Sequence, residues 1–325
     1  SFGPNASPRY YAGVTLSKKM PSFNHIVFHQ GRLWGSSPSG RYIYASASDD
    51  IFSFSYEDMT NKFAWRMPTD AVGRVTGFSS YNDELVVFKE DAMGVITGYG
   101  PKNYQMNTLS GIGCIAPKSC QVTSKGVIFL AYDGFYIYNG SYPKMFSHSL
   151  NRKYTDAVSG FDGRKYYTSV TDREGNREVL VYDTLYGLWH REDEFMPKGY
   201  FRFRDGFYVC DSNTLYKLGT DQSNVLWSMT LAQRGDLDLK GINEIWLRCE
   251  IDEGAEFTVY TDIGKGGWRK HATFTEADGV TVYRVPVRFI NSNNYRVKIT
   301  GRGKVVIYAL ELIASEGGRR HKERL

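Results

Sequence analysis

The chain has 325 residues and a formal net charge of +5, and 15% of its residues are aromatic, including 24 Tyr and 19 Phe. This length accommodates one large β domain, or a large and a small one. The aromatic-rich composition favours half-buried sheets over helices. No run of 18 apolar residues is present, so no membrane span is predicted.

A β-hairpin pattern recurs through the first two-thirds of the chain, in which strands of aromatic and β-branched residues flank short turns. The predicted turns are Gln30-Gly31, Asn82-Asp83, Asp133-Gly134, Asp162-Gly163 and Asp205-Gly206. Asp-Gly is a strong hairpin signal because both turn positions favour positive φ. The turns recur about every 44 residues, which is the spacing of β-propeller blades.

The pattern predicts an all-β protein with four segments. Residues 1–22 form a lead-in, and residues 23–220 form a β-propeller of about five to six blades. Longer alternating strands follow from 221 to 316, with the eight to twelve residues between turn signals that indicate an antiparallel β-sandwich of jelly-roll type. Residues 317–325 form a basic C-terminal tail. Because the chain opens on Ser1 rather than Met, we expect it to be a fragment or a processed product.

Acid–base chemistry on sugars requires two carboxylates that converge on one pocket. The sequence offers three acidic clusters at predicted strand ends or turns: Glu57/Asp58, Glu90/Asp91 and Glu192/Asp193/Glu194. Acidic clusters in turns are usually solvated, and no Gly-X-Ser-X-Gly elbow is present. The sequence therefore predicts no catalytic residue and a protein that is not an enzyme.

Metal and cofactor signals are weak. His25 and His29 are four residues apart, but they lie in a predicted strand without a further ligand motif. The run Gly111–Ala116 matches GxGxxA, but Pro117 argues against the helix that a dinucleotide site needs. The four cysteines (Cys114, Cys120, Cys210 and Cys249) lack zinc-site spacing and are predicted to be free thiols. No metal and no cofactor is predicted.

Several segments resemble β-propeller proteins of short-tailed bacteriophages, namely the tail nozzle proteins and the packaged-DNA stabilisation proteins of the neck. The similar segments are Phe28–Trp34 with Ile43–Ala47 and Asp50–Phe54, Leu85–Lys89 with Val95–Gly98 and Gly113–Pro117, and Lys304–Tyr308 with Gly317–Arg320. The resemblance extends over residues 23–320. It implies a multi-copy ring at the neck or tail of the virion, through which the genome passes.

From this resemblance we expect a non-enzymatic structural component of a phage tail or neck, assembled in the bacterial host cytoplasm. Its expected partners are other tail or neck proteins and further copies of itself, with transient passage of DNA and no membrane span. The candidate interface residues are Arg319, Arg320, Lys322 and Arg324, which follow Gly317-Gly318; the alternative is a solvated, disordered end.

Two other function classes stay open. One is a carbohydrate-binding or receptor-binding module, which an exposed aromatic cluster on one face of the sandwich would favour. The other is a glycan-cleaving propeller enzyme, which would require carboxylates from different blades to meet in the central channel.

Overall fold

The computed structural model describes residues 9–12, 15–54, 64–69, 73–192, 195–219, 225–231, 234–264, 267–287, 292–316 and 319–324. These residues contain 27 strands, two short 3-10 turns (Pro117–Ser119 and His148–Leu150) and no α-helix. The predicted all-β class is therefore confirmed. None of the described residues forms a helix able to span a membrane. The chain divides into two units, Ser1–Leu218 and Gly219–Leu325.

The first unit consists of small antiparallel sheets in which strands pair in chain order. Strands β1 (Arg9–Ala12) and β2 (Thr15–Lys19) form a two-stranded sheet, and five larger sheets follow. They comprise β3 (His25–His29), β4 (Arg32–Ser36), β5 (Tyr42–Ala45) and β6 (Trp65–Pro68); β7 (Val75–Tyr81), β8 (Glu84–Lys89), β9 (Ala92–Thr97) and β10 (Gln105–Ser110); β11 (Gln121–Thr123), β12 (Gly126–Leu130), β13 (Phe135–Tyr138) and β14 (Lys144–Met145); β15 (Tyr154–Phe161), β16 (Lys165–Asp172), β17 (Arg177–Asp183) and β18 (Leu188–Glu192); and β19 (Gly199–Phe203), β20 (Gly206–Cys210) and β21 (Leu215–Lys217).

The hairpin turns lie close to their predicted positions. Gln30-Gly31 and Asn82-Asp83 are two-residue turns, and Gln30, Gly31 and Asn82 have positive φ, as such turns require. The turn predicted at Asp205-Gly206 is one residue earlier. Arg204 takes the positive φ of 53°, and Gly206 begins β20 opposite Phe203.

Successive sheets of the first unit pack against each other through apolar side chains. The first strand of each sheet contacts the first strand of the next, so that β3 meets β7, β7 meets β11, β11 meets β15 and β15 meets β19. Aromatic pairs mark the cores between sheets: the ring centroids of Phe88 and Phe129 are 4.8 Å apart, and those of Tyr167 and Phe207 are 5.1 Å apart. Each sheet therefore buries apolar surface against its neighbours in sequence.

The second unit is a six-stranded sheet with its own core. Its strands are β22 (Leu226–Thr230), β23 (Arg234–Asp262), β24 (Arg269–Pro286), β25 (Ser292–Arg302), β26 (Val305–Glu316) and β27 (Arg319–Arg324). The strand order is β22-β25-β23-β26-β27, and β24 pairs with the long strand β23. Alternate residues of β23 enter the core, including Ile245, Leu247, Phe257 and Val259.

The basic C-terminal segment is a strand, which differs from the solvated end considered above. The backbone of Arg319–Arg324 pairs antiparallel with Glu311–Glu316, and this pairing satisfies the edge of β26. The backbone register places Glu316 opposite Arg319 and Glu311 opposite Arg324. The predicted interface role of Arg319, Arg320, Lys322 and Arg324 stays a prediction.

Candidate functional site

The acidic clusters singled out in the sequence do not form a catalytic pair in the part of the chain that is described. Glu57, Asp58, Asp193 and Glu194 lie outside the described residues. Glu90 and Asp91 form the turn between β8 and β9, where the Asp91 carbonyl accepts a hydrogen bond of 2.8 Å from the Gly111 N–H. Glu192 Oε1 lies 3.4 Å from His190 Nε2.

Two other carboxylates, Asp172 and Glu178, lie close together in the sheet formed by β15 to β18. Arg152 Nη1 lies 4.0 Å from Asp172 Oδ2 and 3.5 Å from Glu178 Oε1, and Glu178 also pairs with Arg191. The side chain of Asn176 donates to Asp172 and, with backbone N–H groups and Arg152, lowers the pKa of Asp172. A general acid needs a raised pKa. We therefore interpret this cluster as an ion-pair network that holds the turn between β16 and β17.

Among the described residues, neither the histidine pair nor the glycine motif forms a metal or dinucleotide site. His29 Nδ1 lies 2.8 Å from Ser80 Oγ, and burial lowers the pKa of His29. No group of three metal-ligating side chains occurs among the described residues. Gly111–Ala116 is followed by the 3-10 turn Pro117–Ser119 and by β11, so it lacks the helix of a dinucleotide-binding fingerprint.

Three residues of Phe28–Trp34, a segment that carries the sequence resemblance, are buried: His29, Arg32 and Trp34. Trp34 is fully buried, with its ring centroid 5.7 Å from that of Trp65 and 5.1 Å from that of Tyr104. Arg32 is also buried, and its Nη1 donates a hydrogen bond of 2.6 Å to the Ser46 carbonyl. These side chains stabilise the first unit and are not available to a ligand.

A polar sheet face in the second unit gathers groups suited to binding. In β23 and β25, Phe257, Val259, Val297 and Ile299 enter the core. Their neighbours point to the opposite face because side chains alternate along a strand. One row on that face consists of hydroxyl residues from four adjacent strands, paired in register: Thr273, Thr258, Thr300 and Ser228.

Next to the hydroxyl row lies an aromatic–cationic patch, which we define as Tyr260, Asp262, Trp268, Arg296 and Lys298. Tyr260 stands opposite Lys298 and Asp262 opposite Arg296 in the pairing of β23 with β25. The Lys298 ammonium lies 4.4 Å from the ring centroid of Trp268 and 5.0 Å from that of Tyr260. Both rings are half-buried, so part of each aromatic surface faces solvent.

Arg296 and Asp262 form the fixed part of the patch. Arg296 Nη2 donates to Asp262 Oδ2, and the Gly264 N–H donates to Asp262 Oδ1 at 2.8 Å. These hydrogen bonds lower the pKa of the Asp262 carboxyl group. The Arg296 guanidinium also lies 5.1 Å from the Trp268 ring centroid. The ion pair therefore supports the indole and leaves Asp262 charged at neutral pH.

The remaining donors of the patch face no protein acceptor. Within the described part of the chain, the Lys298 ammonium, the Trp268 indole N–H and the Tyr260 hydroxyl make no hydrogen bond and no ion pair. Hydrogen-bond donors beside a partly exposed aromatic ring are the groups that orient a polar ligand with an apolar face.

Sequence reasoning missed this patch. Trp268 lies in the segment between β23 and β24, and Lys298 lies thirty residues further on in β25. The signal in the sequence that could have indicated the patch is the alternation of polar and core residues along β23 and β25. Tyr260 and Asp262 alternate with core residues, and so do Arg296 and Lys298, which predicts two polar strand faces. That the two faces adjoin depends on the pairing of β23 with β25.

No protein-family model and no curated protein matches the chain. The exo-β-1,3-galactanase of Phanerochaete chrysosporium is similar over 93% of this chain and 100% of its own, at 11% identity and a TM-score of 0.33. Hsv2 of Kluyvelomyces marxianus is similar over 65% of this chain and 68% of its own, at 11% identity and a TM-score of 0.42. A solved glycoside hydrolase is similar over 87% of this chain and 83% of its own, at 9% identity and a TM-score of 0.24.

This comparison contradicts the prediction that the protein is not an enzyme, because a galactanase and a second glycoside hydrolase are among the structural neighbours. That prediction is withdrawn. TM-scores of 0.24 to 0.42 at 9–11% identity are low, so no activity, substrate or residue role is carried over from these proteins.

Proposed function

We propose that the protein binds carbohydrate on the polar sheet face of its second unit. The observation that carries the proposal is the aromatic–cationic patch, where the half-exposed Trp268 and Tyr260 flank the Lys298 ammonium. A sugar ring has an apolar C–H face and a polar rim. An aromatic side chain packs against the C–H face, and hydrogen-bond donors and acceptors around the aromatic ring bind the polar rim.

Each part of the face has a role in this proposal. The solvent-exposed part of the Trp268 indole packs against one sugar ring, and the indole N–H and the Tyr260 hydroxyl bind ring hydroxyls. The row of Thr273, Thr258, Thr300 and Ser228 extends the polar surface along the sheet, which suits a chain of several sugar units. Asp262 and Arg296 hold the indole in place.

We further propose that the five larger sheets of the first unit are blades of a β-propeller and that the second unit is a β-sandwich. The successive contacts of β3, β7, β11, β15 and β19 support the propeller, because the first strands of propeller blades surround the central channel. Ile26 and Phe28 on β3, and Phe201 and Phe203 on β19, are exposed at alternate positions. These are the faces that closure of the ring would cover.

A binding experiment on the full chain tests the carbohydrate proposal. The wild-type protein and Trp268→Ala are applied to an array of bacterial and plant oligosaccharides, and the glycans that bind are titrated by calorimetry. We expect Trp268→Ala to weaken binding roughly tenfold or more, because an aromatic anchor carries a large share of the binding energy at such a site.

Tyr308→Ala is the matched control. Tyr308 is an exposed aromatic residue on β26 of the same unit, and its hydroxyl donates to Glu250 at 2.9 Å. This variant should retain wild-type affinity. An array on which the wild-type protein binds no glycan would contradict the proposal, and so would equal losses in the two variants.

The role in a phage tail or neck stays a prediction from the sequence resemblance. The contacts that support carbohydrate binding do not bear on this prediction, which includes a ring of copies, partner proteins and a location in the virion.

A further inference from the structure

The aromatic–cationic patch carries two cationic side chains, Arg296 and Lys298, and one carboxylate, Asp262. Asp262 is its only carboxylate, and that group is committed to Arg296 and to the Gly264 N–H. Lys298 has two aromatic rings as neighbours but no carboxylate among the described residues. Lys270 stands opposite Tyr260 on β24 and is exposed. It makes no ion pair with any described residue, so it adds a second available cation beside Tyr260.

The geometry of Lys298 suits a directed interaction. Its ammonium is a point charge with three N–H donors. The ammonium lies 4.4 Å from the Trp268 ring centroid and 5.0 Å from that of Tyr260. These contacts restrict the lysine side chain before a ligand binds, so less conformational entropy is lost on binding. An anion next to the Lys298 ammonium would accept charge-assisted hydrogen bonds from it.

We infer that the ligand is an acidic glycan that carries carboxylates of the uronic acid type. This inference rests on the proposed carbohydrate-binding function and adds the chemical class of the sugar. The carboxylate is placed on Lys298, and the ring that bears it packs against Trp268. Lys270 is in reach of the next acidic unit along the row.

The test uses matched pairs of oligosaccharides, each as the free carboxylate and as its methyl ester, titrated into the full chain at low and at physiological salt. We expect the acids to bind about tenfold more tightly than the esters, with a preference that shrinks as salt rises. Lys298→Gln should abolish the preference, so that the acid and the ester of each pair bind equally well. Lys304→Gln is the control, because Lys304 pairs with Asp252 at 2.9 Å in the same unit.

The outcomes separate the two proposals. Equal binding of acids and esters, both lost in Trp268→Ala, would overturn the acidic ligand and leave carbohydrate binding intact. If no oligosaccharide binds, the proposed function fails and this inference fails with it. Single-stranded oligo-dT is included as a probe. Tighter binding of oligo-dT than of any acid, lost in Lys298→Gln, would assign the patch to a nucleic acid and overturn the inference.

Discussion

The indole of Trp227 lies over Gly301, its cross-strand partner in the pairing of β22 with β25. A Cβ atom at position 301 would overlap the indole ring and would lie 2.7 Å from the Glu256 carbonyl oxygen. The indole N–H of Trp227 donates a hydrogen bond of 2.9 Å to the Gly303 carbonyl, which fixes the ring above the glycine. The second unit therefore depends on a residue without a side chain at this position.

Gly301→Ala should destabilise the second unit by about 1–3 kcal/mol, the usual cost of overpacking a filled site. The measurement is chemical unfolding followed by tryptophan fluorescence. Gly77→Ala is the control, because a Cβ atom at Gly77 would make an ordinary contact of 3.6 Å with Pro117. Equal stabilities of Gly301→Ala and the wild type would show that Trp227 can move aside without cost.

Asp262 should make the second unit sensitive to acid. Its pKa in the folded state lies below its unfolded value of about 3.9. The carboxylate therefore contributes its full stabilisation above that value, and the contribution is lost as the pH falls through the folded pKa. We expect Asp262→Asn to unfold at lower denaturant than the wild type at pH 7 and to differ less from it at pH 3.

The control for acid sensitivity is Asp252→Asn, which removes a more exposed carboxylate that pairs with Lys304. The difference between this variant and the wild type should stay small at both pH values, because exposed ion pairs contribute little. If the denaturant concentrations at which Asp262→Asn and the wild type unfold differ equally at pH 3 and at pH 7, the role given to Asp262 is contradicted.

Cys114 and Cys120 should be the cysteines that oxidise to a disulfide. Their sulfur atoms are 3.5 Å apart, and a hydrogen bond from Cys120 lowers the pKa of Cys114, which favours the attacking thiolate. Denatured protein kept without an oxidant should show four reactive thiols. After the folded protein is treated with diamide, which takes up two protons and two electrons per disulfide, two should remain. Cys114→Ser should leave all three of its thiols after the same treatment.

Removal of residues 317–325 should make the protein associate. The deletion exposes the edge of β26 from Glu311 to Glu316, and an uncovered edge strand is a template for pairing between chains. Sedimentation velocity measures the change. A substitution of Arg319, Arg320, Lys322 and Arg324 by Gln keeps the backbone pairing, so it tests their predicted interface role separately. A state of association that the deletion leaves unchanged would show that β27 contributes nothing to covering that edge.

Burial of Trp34 predicts a large effect on folding without an effect on glycan binding. Trp34→Ala should destabilise the first unit by about 3–5 kcal/mol, because it removes a fully buried ring that contacts Trp65 and Tyr104. Thermal unfolding and glycan titration of the same variant test both parts. A loss of glycan affinity at a temperature where the variant is folded would place a binding role in the first unit.

The sequence by itself determined the features that depend on neighbouring residues. Positive φ at Gln30, Gly31 and Asn82, and the alternation of core residues in β23, specify hairpins and strands through local geometry. The all-β class and the strands of the first unit followed from this periodicity. Even the shifted turn at Arg204-Asp205 differs from the prediction by one residue.

Only the tertiary structure decided which strand faces meet. In the sequence, Trp268 precedes β24 and Lys298 follows it. The two side chains are in contact because β25 pairs with β23 in one particular register. The basic segment after Gly318 has the composition of a solvated end, yet it pairs with β26, whose edge would otherwise be open. Strand order and register depend on burial and hydrogen bonding between distant segments. A pattern of period two cannot encode that choice, because it states only which side chains share a face.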